Sequence, residues 1–118
     1  MESIYCDREK EHLESVRRAK EGVLSAGDIE EVCKIFRLLA EPSRMKIVIA
    51  LLSGEMCVYH LTEVSGGTVS AVSHQLRILR DNGIVKSKRF GKNIEYSIAD
   101  AHVEKIISMG VAHVHCQE

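Results

Sequence analysis

With 118 residues, 45% of them hydrophobic, the chain has the length and composition of one small globular domain. Its formal net charge is only −1, yet residues 77–92 carry six basic side chains against the single acidic Asp81, as a nucleic-acid contact requires. No apolar signal core begins the chain and the longest apolar run, residues 47–52, is too short to cross a bilayer, so we expect a cytoplasmic protein that does not bind membranes.

Two helices are predicted before residue 41. Residues 7–24 are rich in charge, with few apolar positions at helical spacing, so this first helix needs a partner. The second helix, over residues 29–40, has Asp28 as its N-cap and an apolar face that includes Cys33, so we expect Cys33 in the core. All four cysteines are widely scattered, which favours free thiols or metal ligands over disulfides in a cytosolic protein.

A helix-turn-helix pattern occupies the middle of the chain. After an interrupting proline, a helix is predicted over residues 43–52. A short helix over residues 58–64, a Gly-Gly turn and a longer helix over residues 68–82 follow. Two alternating strands, residues 84–89 and 93–98, then form a hairpin. This order predicts a mainly α protein with a small β-hairpin, arranged as a winged helix-turn-helix.

The longer helix and the hairpin carry side chains that suit DNA. Hydroxyl, imidazole, amide and guanidinium groups on the helix can reach base edges and phosphates in the major groove, and basic groups on the hairpin suit backbone phosphates and the minor groove. We predict double-stranded operator DNA as the partner, contacted by Thr68, Ser70, Ser73, His74, Gln75, Arg77, Lys86, Lys88, Arg89 and Lys92. Taken singly, each side chain fits a solvated surface equally well, but their order in the fold favours DNA.

The last predicted helix begins near residue 100 and carries four metal-ligand side chains. Asp100 and His102 lie at its start, and His113 and Cys116 at its end. Eleven residues separate the two histidines, close to three turns, so both lie on one face but roughly 16 Å apart. A zinc ion binds its ligands at about 2 Å, so one helix cannot close a site with both pairs. Two antiparallel copies can, and the spacing therefore predicts a homodimer with two symmetric metal sites.

Three segments carry a family resemblance: LLAEPSR at residues 38–44, SAVSHQLRILR at residues 70–80 and VKSKR at residues 85–89. They are similar to the ArsR/SmtB family of bacterial metal-responsive repressors, and the resemblance extends over residues 28–116. It implies a homodimeric winged helix that represses its operator when metal-free and releases it when metal binds.

The resemblance also bears on the terminal helix. Asp100, His102 and His113 match the ligand pattern of the family's zinc and cobalt sensors, whereas Cys116 falls where those sensors carry His or Glu. A thiolate at that position favours cadmium or tighter zinc binding. Successive helical residues differ in direction by about 100°, so His115 points away from the predicted ligands on either side of it. It either does not bind the metal or substitutes for one of them.

A second metal site is implied by the segment EMCVYHL. It resembles the place where the family's cadmium and lead sensors carry Cys-Val-Cys, but Tyr59 replaces the second cysteine. Cys57 and His60 remain as ligands, and Cys6 and His12 of the other chain's N-terminal arm are available to complete the site. The alternative is that Cys57 is a buried small hydrophobic residue and His60 a surface one.

We therefore predict a metal-sensing transcriptional repressor and not an enzyme. Residues 1–27 form an N-terminal arm that contributes to the dimer, and residues 28–118 form the DNA-binding domain with its C-terminal dimerisation and metal-sensing helix. Zinc is the expected cofactor, with cadmium, lead and cobalt as alternatives, and no small-molecule substrate is expected. Three alternatives stay open. One is a repressor of the same fold that senses oxidants or persulfides through its thiols, and another is a metal-storage protein that does not bind DNA. The third is a metalloenzyme, which a closed four-ligand site with no obvious base or substrate pocket disfavours.

Overall fold

The computed structural model describes residues 6–116, and this part of the chain contains six helices and three strands. In chain order they are α1 (Glu9–Glu21), α2 (Ala26–Leu39), α3 (Pro42–Leu51), β1 (Met56–Cys57), α4 (Val58–Ser65), α5 (Val69–Asp81), β2 (Val85–Phe90), β3 (Asn93–Ile98) and α6 (Ala101–His115). The chain forms two compact units, one ending at Ile35 and one beginning at Phe36. The predicted mainly helical fold with a small sheet is confirmed. The functional division after residue 27 stays a prediction, because it concerns dimerisation.

The core of the second unit is aliphatic, as the near absence of aromatic residues predicts. Its buried side chains come from the end of α2, from α3, α4, α5 and α6, and from the start of β2 with the residue before it. The buried side chains are Leu39, Ile47, Val48, Ala50, Leu51, Leu61, Val72, Leu76, Leu79, Ile84, Val85, Val103 and Ile107. Burial of this apolar surface is the main force that holds the recognition elements in place.

The sheet has three antiparallel strands in the order β1-β3-β2. The predicted hairpin is β2 and β3, which pair from Val85 opposite Ile98 to Phe90 opposite Asn93. Strand β1 was not predicted from the sequence, because two residues are too few for an alternating pattern to be recognised. It pairs with β3 so that Cys57 lies opposite Glu95, which joins the start of the helix-turn-helix to the hairpin.

Two predictions about α2 are wrong. The helix begins at Ala26, and the hydroxyl of Ser25 accepts a hydrogen bond from the backbone N–H of Asp28 at 3.1 Å. Ser25, and not Asp28, therefore performs the N-capping. Cys33 is exposed in the single chain, although it was expected in the core. Its neighbours on the same face, Ile29 and Val32, are 49% and 44% exposed, so the whole apolar face of α2 in the first unit is uncovered.

The first unit also contains α1, whose charged side chains pair along its surface. Arg17 bridges Glu14 and Glu21, and Arg8 bridges Glu11. Such exposed pairs stabilise a helix only slightly. Nowhere within residues 6–116 is a helix both long and apolar enough to span a bilayer.

Candidate nucleic-acid interface and metal centre

The helix-turn-helix is formed by α4, a glycine turn and α5. Gly66 and Gly67 have φ values of +83° and +88°, which side chains with a Cβ rarely adopt, so two glycines are needed at this turn. Thr68 follows as the N-cap of α5, and its hydroxyl accepts a hydrogen bond from the backbone N–H of Ala71 at 3.1 Å. The turn and the cap together fix where the recognition helix α5 starts.

Helix α5 has one buried and one exposed face. Val72, Leu76 and Leu79 are buried in the core, which turns the opposite side outward. Of the residues predicted to contact DNA, Thr68, Ser70, His74 and Arg77 are exposed, whereas Ser73 and Gln75 are partly buried. This helix therefore presents most of the predicted polar groups to solvent on a rigid support.

Gln75 has a partner within the chain. Its Oε1 accepts a hydrogen bond from Nη1 of Arg44 in α3 at 3.2 Å. The role of Arg44 could not be predicted from the sequence, because the two residues are far apart in the chain and no spacing rule connects them.

The hairpin forms the wing, and its predicted DNA-contacting residues Lys86, Lys88, Arg89 and Lys92 are all exposed. Lys88 Nζ lies 5.0 Å from the centroid of the Phe90 ring, within the range of a cation–π interaction. The wing thus concentrates four positive charges on one two-stranded element beside α5, a suitable arrangement for contacts with phosphates.

At the start of α6, Asp100 is both the N-cap and a partner of His102. Its Oδ1 accepts hydrogen bonds from the backbone N–H of His102 at 2.7 Å and from Nδ1 of the same residue at 2.9 Å. An ionised carboxylate only accepts hydrogen bonds, so Nδ1 carries a proton, and in the neutral ring Nε2 is then the nitrogen with the lone pair. The hydrogen bond from the His102 backbone is the main cause of the lowered pKa of Asp100. The structure thus brings the first predicted ligand pair together.

The second predicted pair lies at the other end of α6. His113 is in the last turn and Cys116 is the C-cap, and both are exposed. Within residues 6–116 of a single chain, no three His, Cys, Asp or Glu side chains are arranged to hold one metal ion. His115, by contrast, lines an apolar groove together with Val111 and Val114.

The residues predicted for the second metal site form two close pairs, one in each unit. Cys57 Sγ lies 3.5 Å from Nδ1 of His60 at the start of α4, and Cys57 is half-buried while His60 is exposed. In the first unit, Cys6 Sγ lies 2.8 Å from Nδ1 of His12. Each pair offers one sulfur and one imidazole nitrogen, both of which are zinc ligands.

Together, the recognition helix and the basic wing define a winged helix-turn-helix DNA-binding protein. Comparison with known proteins agrees: residues 41–87 match the family model of the bacterial regulatory protein, arsR family. A transcriptional repressor SmtB homolog from Synechocystis sp. is 44% identical over 98 residues, 83% of this chain and 74% of that protein. A cadmium resistance transcriptional regulatory protein CadC homolog from Staphylococcus aureus is 32% identical over 109 residues, 92% of this chain and 89% of that protein.

The solved structures agree on the fold. The homodimeric winged helix-turn-helix DNA-binding domain of Mb0332 from Mycobacterium bovis has a TM-score of 0.70 at 24% identity, covering 80% of this chain and 89% of that one. The chain belongs to the ArsR family of bacterial regulatory proteins. It is therefore a transcriptional regulator and not an enzyme, which confirms both the family resemblance and the predicted class.

Proposed function

We propose that this chain acts as a homodimeric, metal-sensing repressor whose metal-free form binds operator DNA and whose metal-bound form releases it. The observation that carries the proposal is the pairing of Asp100 with His102 at one end of α6, with His113 and Cys116 exposed at the other end. Four such ligands, two from each of two chains, are enough for a closed tetrahedral site.

A second copy of the chain is the partner that the apolar surface of the second unit favours. A groove of about 650 Å³ runs between the end of α2, α3 and α6, and its lining is almost wholly aliphatic or aromatic. Of the residues that line it, Phe36, Ile106 and Val114 are 51%, 40% and 61% exposed. An isolated chain rarely leaves so much contiguous apolar surface in water, and a twofold dimer would bury the same groove twice.

The donor set suits a borderline-soft divalent ion. Carboxylate, two imidazoles and a thiolate are all zinc ligands, and the thiolate extends the range to cadmium and lead. The contact between Asp100 and Nδ1 of His102 leaves Nε2 available, and a hydrogen bond of this kind orients a ligating histidine and raises its basicity. Zinc is therefore the ion we propose first, with cadmium, lead and cobalt as alternatives.

The mechanism depends on the geometry of two α6 helices. A metal ion bound there would supply a rigid cross-link between the two chains. In its absence, the packing of α6 against α3 and β3 determines how freely the two copies of α5 adjust to successive major grooves. A coupling free energy of about 1–3 kcal/mol between metal binding and DNA binding changes the affinity for DNA 5- to 150-fold. Bound DNA must then weaken metal binding by the same factor.

The deciding experiment compares His102→Ala with Glu104→Ala. Both remove a side chain of α6 that could bind a metal, but Glu104 is exposed, does not line the apolar groove and is not one of the proposed ligands. We expect His102→Ala to bind DNA and to retain it when zinc is added, and Glu104→Ala to release it like the wild type. Full zinc-dependent release by His102→Ala would exclude the α6 site as the sensor.

A second metal site is favoured by the sulfur–imidazole contacts at Cys57/His60 and Cys6/His12. We propose that these two pairs, taken from different chains, hold a thiolate-rich ion. Cys57→Ser and Cys6→Ser should then each lower the sulfur-to-metal charge-transfer absorption of the cadmium complex. Together they should remove all of it that the α6 thiolate does not supply, and Cys116→Ser should remove the remainder. Cys33→Ser is the matched control. An unchanged spectrum in Cys57→Ser would refute this site.

Thiol sensing is the second candidate function, because Cys6 is exposed and Cys57 is only half-buried, so both thiols are accessible to an oxidant or a persulfide donor. DNA release that requires an oxidant or a persulfide donor, persists in the presence of a chelator and is reversed by a reductant would support it. Release by zinc alone under reducing conditions would exclude it as the main function.

A further inference from the structure

Arg44 joins three helices of the second unit. Its Nε donates a hydrogen bond to the backbone carbonyl of Leu38 in the last turn of α2 at 2.7 Å. Its Nη1 donates to Oε1 of Gln75 in the recognition helix at 3.2 Å. Its own backbone N–H donates to the side chain of Glu41, the N-cap of α3, at 3.0 Å. One side chain thus connects the end of α2 to the middle of α5.

The α2 end of this connection is firmly held. The carbonyl of Leu38 is one of the four at a helix C-terminus that have no partner within the helix, and a cationic donor is favourable there. The next residue, Leu39, is only 2% exposed and packs in the core. The position of Arg44 is therefore determined by the core and not by solvent.

The α5 end determines how Gln75 is presented. A guanidinium group only donates hydrogen bonds, so the carboxamide oxygen of Gln75 must face Arg44 and its NH₂ group must face away. The neighbours of Gln75 on either side are the buried Leu76 and the exposed His74. With its oxygen held by Arg44, Gln75 offers donors to DNA and is poorly placed for the bidentate contact with adenine, which uses both amide atoms.

We propose that Arg44 is a positioning residue of the DNA-reading surface: it fixes the side chain of Gln75 and the orientation of α5 relative to the end of α2. This inference rests on the proposed binding of operator DNA by α5. Lysine cannot replace arginine here, because a single ammonium lacks the rigid, planar set of donors with which the guanidinium bonds Leu38 and Gln75 at the same time.

The test uses duplexes selected by the wild-type chain from a randomised library, with a random-sequence duplex for comparison. Arg44→Lys keeps the positive charge, Gln75→Met removes the amide at similar length, and the double variant completes a cycle. We expect each single variant to lose about tenfold in affinity for the selected duplex, with unchanged binding to the random duplex. The double variant should lose no more than either single one. Arg80→Lys, the same change at an exposed arginine of α5, is the matched control and should behave like the wild type.

Other outcomes would overturn the proposal. Equal losses of affinity on the selected and the random duplex would make Arg44 a phosphate ligand instead. Additive losses in the double variant would show that the two side chains act independently. If the wild type selects no sequence at all, the proposed operator binding fails and this inference fails with it, whereas additivity refutes only the role of Arg44.

A measurement on the wild type covers the case in which Arg44→Lys does not fold. In a ¹⁵N NMR spectrum, the Nε–H of Arg44 should exchange slowly with water, because it is bonded to the Leu38 carbonyl, and its resonance should shift in Gln75→Met. Rapid exchange of this proton would contradict the proposed contact.

Discussion

Asp100 accepts two hydrogen bonds from His102, one from its backbone N–H and one from its ring. The first bond satisfies a backbone donor at the start of α6, and the second fixes the rotation of the imidazole ring. One carboxylate therefore serves both the stability of the terminal helix and the arrangement of the proposed ligands. These two roles can be separated by mutation.

Asp100→Asn should separate them. Asparagine is as good an N-cap as aspartate, so thermal stability should stay close to that of the wild type, while the loss of the anionic oxygen should abolish most of the zinc-dependent DNA release. Asp100→Ala should lose the release and, in addition, lower the Tm by about a few degrees. Thermal unfolding and DNA release would be measured on both variants. An Asn variant with the full zinc response would show that the carboxylate is not needed for sensing.

The metal-free protein should also lose stability in acid through this residue. The His102 backbone hydrogen bond holds the pKa of Asp100 below its ordinary value of 3.8. A carboxyl group whose pKa is lower in the folded state stabilises the fold above its unfolded pKa, and this contribution disappears as the pH falls through the folded pKa. The difference in unfolding free energy between wild type and Asp100→Ala, measured with chelator present, should be largest near neutral pH and shrink below about pH 4. A difference that grew in acid would contradict this assignment.

The hydrophobic pattern of the sequence was enough to predict the order of the helices and the hairpin. The apolar positions of α5 recur at helical spacing, and Val72, Leu76 and Leu79 are indeed buried. Periodicity identifies the apolar face of an element but not what covers it. For this reason Cys33 was expected in a core that the single chain does not provide.

Contacts between distant residues could not be predicted. Spacing rules apply within one helix or strand, so they could pair Asp100 with His102 and Cys57 with His60, and the structure brings both pairs together. The contact of Arg44 with Gln75 depends on how α3 packs on α5, and the pairing of β1 depends on the position of β3. Both follow from tertiary packing, which no local pattern encodes.

Thr68 combines a structural role with a predicted DNA contact, and two substitutions test whether its hydroxyl is needed for stability and for DNA binding. Thr68→Ala removes the hydroxyl that caps α5 and should cost about 1 kcal/mol of unfolding free energy, with weaker DNA binding because the start of the recognition helix frays. Thr68→Ser keeps the capping oxygen and should restore both properties. Chemical denaturation and DNA titration would be compared. If the serine variant were as unstable as the alanine variant, the hydroxyl would not be the stabilising group.

The wing should contribute affinity without sequence preference. Lys88 is exposed, lies over the Phe90 ring and is opposite Glu95 in the sheet, so its ammonium is held near the end of the hairpin. Lys88→Gln should weaken binding to selected and random duplexes by the same factor and reduce the slope of log affinity against log salt by about one. Lys105→Gln, an exposed lysine on α6, is the matched control and should leave the slope unchanged. A loss of affinity confined to the selected duplex would contradict this prediction. It would mean that Lys88 contributes to sequence preference, as proposed for Arg44, and not only to general affinity.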